Sequence, residues 1–281
     1  MVSAAQRPLA GRVALVTGAN TGIGRVTARE LAARGAHVFM ACRSAERAQP
    51  VIAEIRAAGG TVDYLALDLG DFASVRACAE SFLARDLPLH LLINNAGLAG
   101  ARGFTPSGFE LAFGTNHAGH FLLTRLLLDA VRRAAPARIV TVASDGHYHA
   151  PGIDWDAVRK PTRTRSGMRE YTISKLANVL FSAELSRRLD GSGVTTHALH
   201  PGLVASDVWR FVPRMLRDLI KLAMISPEQG AQTTLYCATS GETAGQTGLY
   251  CDRGKIRKPS RLAQDRALAA ELWRRSEEWA T

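Results

Sequence analysis

The chain has 281 residues, 47% apolar and 21% charged, which suits one large α/β domain and is too apolar for global disorder. Its 35 Lys+Arg against 25 Asp+Glu leave +10, a balance open to nucleic acid, a membrane surface or anionic small ligands. Cys42, Cys78, Cys237 and Cys251 form no CxxC pair, which excludes a zinc ribbon or a dense disulfide framework and leaves a reduced protein as the simplest reading.

From the N-terminus, residues 1–9 (MVSAAQRPL) hold no apolar run of the signal-peptide kind. No later apolar run reaches the ~18 residues of a bilayer span, so a soluble, cytoplasmic chain without a transmembrane segment is expected. Strands are predicted at Arg12–Thr17, His37–Ala41, Val62–Leu67, His90–Asn94, Arg138–Val142, Val194–Leu199 and Thr247–Cys251. Helices are predicted between and after them, at Gly22–Ala33, Ala45–Ala57, Phe72–Ala84, Ser107–Arg132, Met168–Arg188, Pro227–Ala238 and Leu262–Trp279. This cadence of βαβ units, without linker or repeat, predicts a single α/β domain over 1–281. Its fold is doubly wound and Rossmann-type, a seven-stranded parallel sheet flanked by helices. Segments 145–167 and 203–225 interrupt the rhythm, and long excursions after strand ends are where such sheets build ligand sites.

The first strand runs into Thr17-Gly18-Ala19-Asn20-Thr21-Gly22-Ile23-Gly24 and then a helix. Glycine there permits a tight turn and lets backbone approach a pyrophosphate at the positive end of the helix. The spacing is GxxxGxG rather than GxGxxG. After the second strand, where NAD-binding folds place an acid on the ribose, the chain reads Ala41-Cys42-Arg43-Ser44. An arginine can pair with a 2′-phosphate, so Arg43 points to NADP(H); a solvated surface arginine is the bland alternative. Asp68, with Leu69 after the third strand, suits a hydrogen bond to adenine. Asn95, Ala96 and Gly97 lie where backbone passes close to the cofactor.

Tyr171 and Lys175 stand at i,i+4 on one helix face, and a cation beside a phenol favours the phenolate. Ser144 ends the fifth strand, and Asn116 lies in a helix expected to pass behind Lys175. Taken singly these residues are bland, and Tyr–Lys pairs at helical spacing are more often surface packing than functional.

Together they resemble the short-chain dehydrogenase/reductase superfamily: TGANTGIG at 17–24, NNAG at 94–97, Asn116, Ser144, YTISK at 171–175 and Pro201-Gly202. The resemblance covers almost the whole chain. It implies Tyr171 as proton donor or acceptor and Ser144 as hydrogen-bond partner of the substrate oxygen. Lys175 would bind the nicotinamide ribose and tune Tyr171, and Asn116 would hold a relay water. The stretch Pro201, Gly202, Val204 and Ser206 would line the nicotinamide amide. Ser144 and Tyr171 are 27 apart, longer than is typical. With ACR, TNHAGHFLLT and SGVTTHALHPG, that insertion looks like the retinol-dehydrogenase-like branch.

Ser144 with Asp145 and His147 is no hydrolase triad, since three neighbours on one loop rarely align and no GxSxG elbow is present. His117 with His120, or His147 with His149, lack a third ligand, so no metal is assigned. Trp209–Ile225 reads as a substrate lid, with core packing and a membrane-surface helix as alternatives. The basic clusters Arg159, Lys160, Arg163, Arg165, Arg169 and Arg253, Lys255, Arg257, Lys258, Arg261 lack interleaved aromatics, so no nucleic-acid partner is expected. The leading expectation is NADP(H)-dependent hydride transfer to or from a small apolar carbonyl or alcohol, in a homodimer or homotetramer paired through helices 107–132 and 168–188. The alternative is a catalytically silent NADP(H) sensor.

Overall fold

Strand β1 (Val13–Thr17) is apolar on both faces except at its last residue, and it is buried throughout. Such a run belongs in the middle of a parallel sheet covered on both sides. The computed structural model describes residues 7–204 and 224–281 and bears this out. With β2 (His37–Cys42), β3 (Thr61–Ala66), β4 (Leu91–Asn94), β5 (Ala137–Val142), β6 (Val194–His200), β7 (Leu249–Asp252) and β8 (Lys255–Arg257), it forms one sheet in the order 3-2-1-4-5-6-7-8. All pairs are parallel except β7 with β8.

Alternate residues of β1 and β2 serve two cores, as the period of two requires. Ala14, Val16, Val38 and Met40 pack with Leu31 of α1 (Gly22–Ala33), Ile52 of α2 (Ala45–Ala57) and Leu235. Leu15 and Phe39 pack with Phe82 of α3 (Phe72–Leu83) and with Phe121, Phe181 and Trp273. The helix expected at Ser107–Arg132 begins later, as α4 (Leu111–Phe113), with Glu110 capping the Phe113 amide at 2.8 Å. It passes through a π-helical turn at Gly114–Ala118 into α5 (Gly119–Arg133). Then come α6 (Met168–Arg188), α7 (Pro227–Thr239) and α8 (Arg266–Trp279).

Among the described residues the sheet has eight strands rather than seven. β8 is a short, exposed edge strand holding Lys255 and Arg257, and cations on an edge discourage pairing with another chain. The later basic cluster is thus largely this hairpin and the segment after it. In the earlier cluster, Arg159 lies 4.1 Å over the ring of Phe109. Segment 203–225 falls mostly outside the described residues, but Val204 and Ile225 pair as a bridge at its two ends. α8 packs on part of the two helices expected to pair protomers: Trp273 stacks 6.0 Å from Phe181 and lies edge-on 5.0 Å from Phe121. Among the described residues no helix is long and apolar enough to cross a membrane.

Candidate active site

The chain changes direction across the sheet between β1 and β4, and the crevice at such a switch point receives ligands. Register brings the important strand ends to one edge: Thr17 faces Ala41, Asn94 faces Thr141, and Val142 faces Leu199. A cleft of about 590 Å³ opens there. It is lined by every site residue expected from the sequence except Asn116, which lies behind the wall, and Ser206, which lies outside the described residues.

One end of the cleft is the β1–α1 turn. A Cβ at Gly24 would fall 2.3 Å from the Gly18 carbonyl oxygen and 2.5 Å from Asn95 Nδ2, so only glycine lets the turn close on the Asn95 loop. The first turn of α1 holds no acidic side chain, leaving its positive end open to an anion. Beyond β2 the same cleft is lined by Arg43, Ser44 and Arg47. Arg47 was not expected, although its i+4 spacing from Arg43 could have suggested it. Asp68 lines the adjoining wall, its Oδ1 accepting the Gly70 amide at 2.9 Å. A glycine turn at a helix N-terminus, a backbone-lined wall and paired arginines fit a dinucleotide.

The loop after β4 is fixed by residues that its motif alone did not single out. Thr17 Oγ1 accepts the amides of Asn95 and Ala96, each at 2.9 Å, and lies 2.9 Å from His120 Nε2. His120 Nδ1 lies 2.9 Å from the Asn116 carbonyl, so the network assigns the proton to Nδ1 and makes Nε2 the acceptor for Thr17. Burial pushes the His120 imidazole down to about 4, in keeping with a neutral ring. Asn116 sits in the π-turn with its side chain committed: Oδ1 accepts the Leu98 amide at 2.9 Å, and Nδ2 donates to Leu98 O at 3.0 Å and Ser174 Oγ at 2.9 Å. Its side chain therefore clamps the loop.

At the other end, Ser144 Oγ follows β5 and is hydrogen-bonded to the Tyr171 phenol on α6. Lys175, one turn on, donates from Nζ to Val142 O at 2.9 Å and lies 5.7 Å from the Tyr171 ring centroid. Burial pushes Lys175 down to about 7 and Tyr171 up to about 12. The expected lowering of the phenol by the cation is thus not what this arrangement produces, because both groups are desolvated and the ammonium faces a carbonyl. The long insertion packs back onto the site. His147 lies 2.6 Å from Ser144 O through Nδ1 and accepts the Ser260 amide at 3.1 Å through Nε2. Leu98, Leu111 and Met168 add an apolar wall near Tyr171, with His149 and Thr172 beside it.

A Ser–Tyr–Lys cluster at the end of a dinucleotide cleft defines an oxidoreductase class linked to a nicotinamide dinucleotide. The family model described as short chain dehydrogenase matches residues 12–155. Retinol dehydrogenase 11 of Homo sapiens is 44% identical over 270 residues, covering 94% of this chain and 84% of that protein. A solved structure from Mycobacterium paratuberculosis superimposes with a TM-score of 0.79 at 35% identity, over 99% of this chain and 97% of that one. Pseudomonas aeruginosa RhlG, solved as an NADP active-site complex, matches with a TM-score of 0.70 at 28% identity, over 87% and 95%. The chain belongs to the short-chain dehydrogenase/reductase family, in its retinol-dehydrogenase-like branch.

Proposed function

We propose that this chain is an NADP(H)-dependent dehydrogenase/reductase for apolar aldehydes, ketones or alcohols, retinoids among them, with Tyr171 as general acid/base. The carrying observation is one cleft holding the Ser144–Tyr171–Lys175 cluster at one end and Arg43 at the other. When bound, the dinucleotide supplies or accepts the hydride. The chain's own groups do the rest. The Tyr171 hydroxyl gives its proton to the carbonyl oxygen, Ser144 stabilises the charge that develops there, and the walls hold the reacting carbon in place. Lys175, pushed down to about 7, can carry or release a proton near neutrality. Leu98, Leu111 and Met168 favour an apolar substrate. The test is NADPH oxidation with aldehydes, ketones and retinoids, wild type against Tyr171→Phe. Removal of the phenolic proton is expected to cut kcat by roughly 100-fold or more while dinucleotide affinity holds. Near-normal turnover by that variant would remove Tyr171 from the mechanism.

A further inference from the structure

Residues 151–164 fold back against α4 and the first turns of α6 and frame a second cavity of about 540 Å³. It shares no lining residue with the dinucleotide cleft, because the two helices form the wall between them. On α6, Met168, Tyr171, Thr172 and Lys175 recur at i, i+3, i+4 and i+7 on the cleft side, and Arg169, Glu170 and Ile173 line the cavity. On α4, Leu111 lines the cleft and Phe113 the cavity. The cavity floor is buried and mostly apolar: Phe113, Val158 and Ile173 are at most 8% exposed. Glu110, buried among them, has both carboxylate oxygens engaged, one by the Phe113 amide at 2.8 Å and the other by the Thr162 hydroxyl at 2.5 Å.

The rim belongs to the earlier basic cluster, which the dinucleotide cleft does not use. Residues 151–170 hold five basic against three acidic side chains. Arg159 is taken up by the rings of Phe109 and Trp279, 4.1 and 5.9 Å away. The two rim carboxylates are turned to their own backbone. Asp154 Oδ1 accepts the amides of Asp156 and Ala157 at 3.1 and 3.0 Å. Glu170 accepts the amides of Arg163 and Thr164 at 3.2 and 3.0 Å, and the Thr164 hydroxyl as well. Arg163 and Arg169 complete the rim, and among the described residues neither guanidinium forms a hydrogen bond or an ion pair. A buried hydrocarbon floor rewards an apolar body, and guanidinium donors at its edge reward an anionic head. The volume lies within the roughly 300–1,000 Å³ of small-molecule sites. We propose that this cavity is a second binding site, for an amphipathic carboxylate whose acyl chain lies on Phe113, Val158 and Ile173 and whose head meets Arg163 and Arg169. Binding there requires neither dinucleotide nor turnover.

Calorimetric titration of the full chain with decanoate, decanol and decylamine tests the site. Decanoate is expected to bind one to one and at least about 10-fold more tightly than decanol, with decylamine weakest. Arg163→Gln combined with Arg169→Gln changes two exposed side chains and leaves their backbone hydrogen bonds in place. That variant is expected to raise the decanoate dissociation constant roughly 10-fold or more while decanol binds as before. Ala157→Phe places a ring in the cavity from its lining and is expected to abolish binding of both. Decanoate affinity that survives Ala157→Phe would place the ligand elsewhere, the dinucleotide cleft included, and overturns the proposal. So do decanol binding as tightly as decanoate, an unchanged affinity in the arginine variant, and an absence of decanoate binding to wild type. Should Ala157→Phe fail to fold, which a thermal melt reads, the arginine variant and the decanol comparison decide.

Discussion

Arg43 follows the last residue of β2, and its exposed guanidinium lines the end of the cleft. A 2′-phosphate there gains charge-assisted hydrogen bonds, each worth about 1.5–3 kcal/mol, whereas a ribose hydroxyl gains little. Arg43→Asp therefore removes an attraction for NADPH and adds a repulsion. The expected result is a rise of roughly 10- to 100-fold in the NADPH dissociation constant with little change for NADH, read by fluorescence titration of both. Equal changes for the two dinucleotides would mean that Arg43 does not contact the phosphate. This arginine was legible in the sequence because its place after a strand has a chemical meaning. Its neighbour Arg47 was not, since a helical arginine in so basic a chain carries no signal until the fold turns it toward the cleft. The protonation of Tyr171 was equally hidden: spacing gives the neighbour Lys175, while burial decides the charges.

The β1–α1 turn works as a unit with the loop after β4, and Gly24 is where they touch. An alanine there would press on the Gly18 carbonyl and Asn95 Nδ2, backbone and a bonded amide that cannot swing aside. Gly24→Ala is expected to destabilise the protein by about 1–3 kcal/mol and to weaken dinucleotide binding. Gly241→Ala, where no atom lies within 4 Å of the added carbon, is the control expected to leave both unchanged. Thermal melts and a binding titration on the two variants decide the matter. Equal behaviour would show that the turn tolerates the methyl group. Elements like this turn were readable because glycine spacing, strand and helix coincide. The π-turn was not, because one extra residue in a turn leaves the apolar period of Ser107–Arg132 nearly intact. Nor was β8, whose Lys255-Ile256-Arg257 carries no apolar alternation and forms a strand only because β7 offers it an edge. The predicted helix from Leu262 breaks at Asp265, whose carboxylate caps the Leu268 amide at 3.0 Å, a start signal hidden inside the longer amphipathic run.

Across the whole molecule, the buried imidazoles set the response to acid. His117, His120 and His197 are each at most 1% exposed, and burial pushes them down to about 3, 4 and 4. In the unfolded chain each takes its proton near 6.5. Between that value and the folded ones the unfolded state binds more protons, so native stability falls as pH falls, by up to about 1.4 kcal/mol per pH unit for each ring. Lys175 works in the same direction at higher pH. Its folded value of about 7 lies below the unfolded one, so its unfavourable contribution shrinks as pH rises above neutrality. The chain is therefore expected to lose stability steeply from pH 6.5 toward 4 and to gain modestly on the mildly alkaline side. Urea melts at stepped pH measure this directly. His117→Phe offers the sharper comparison, because that ring sits among Phe113, Phe121 and Phe181 and a phenyl group can occupy the same space. Although the variant forgoes the 3.3 Å contact with Ser276 Oγ, its acid slope is expected to flatten by about one proton. A wild-type midpoint that stays constant from pH 6.5 to 5 would mean that these rings do not stay neutral in the folded state, and with it the histidine–threonine clamp behind the cofactor loop would need a different hydrogen-bond polarity.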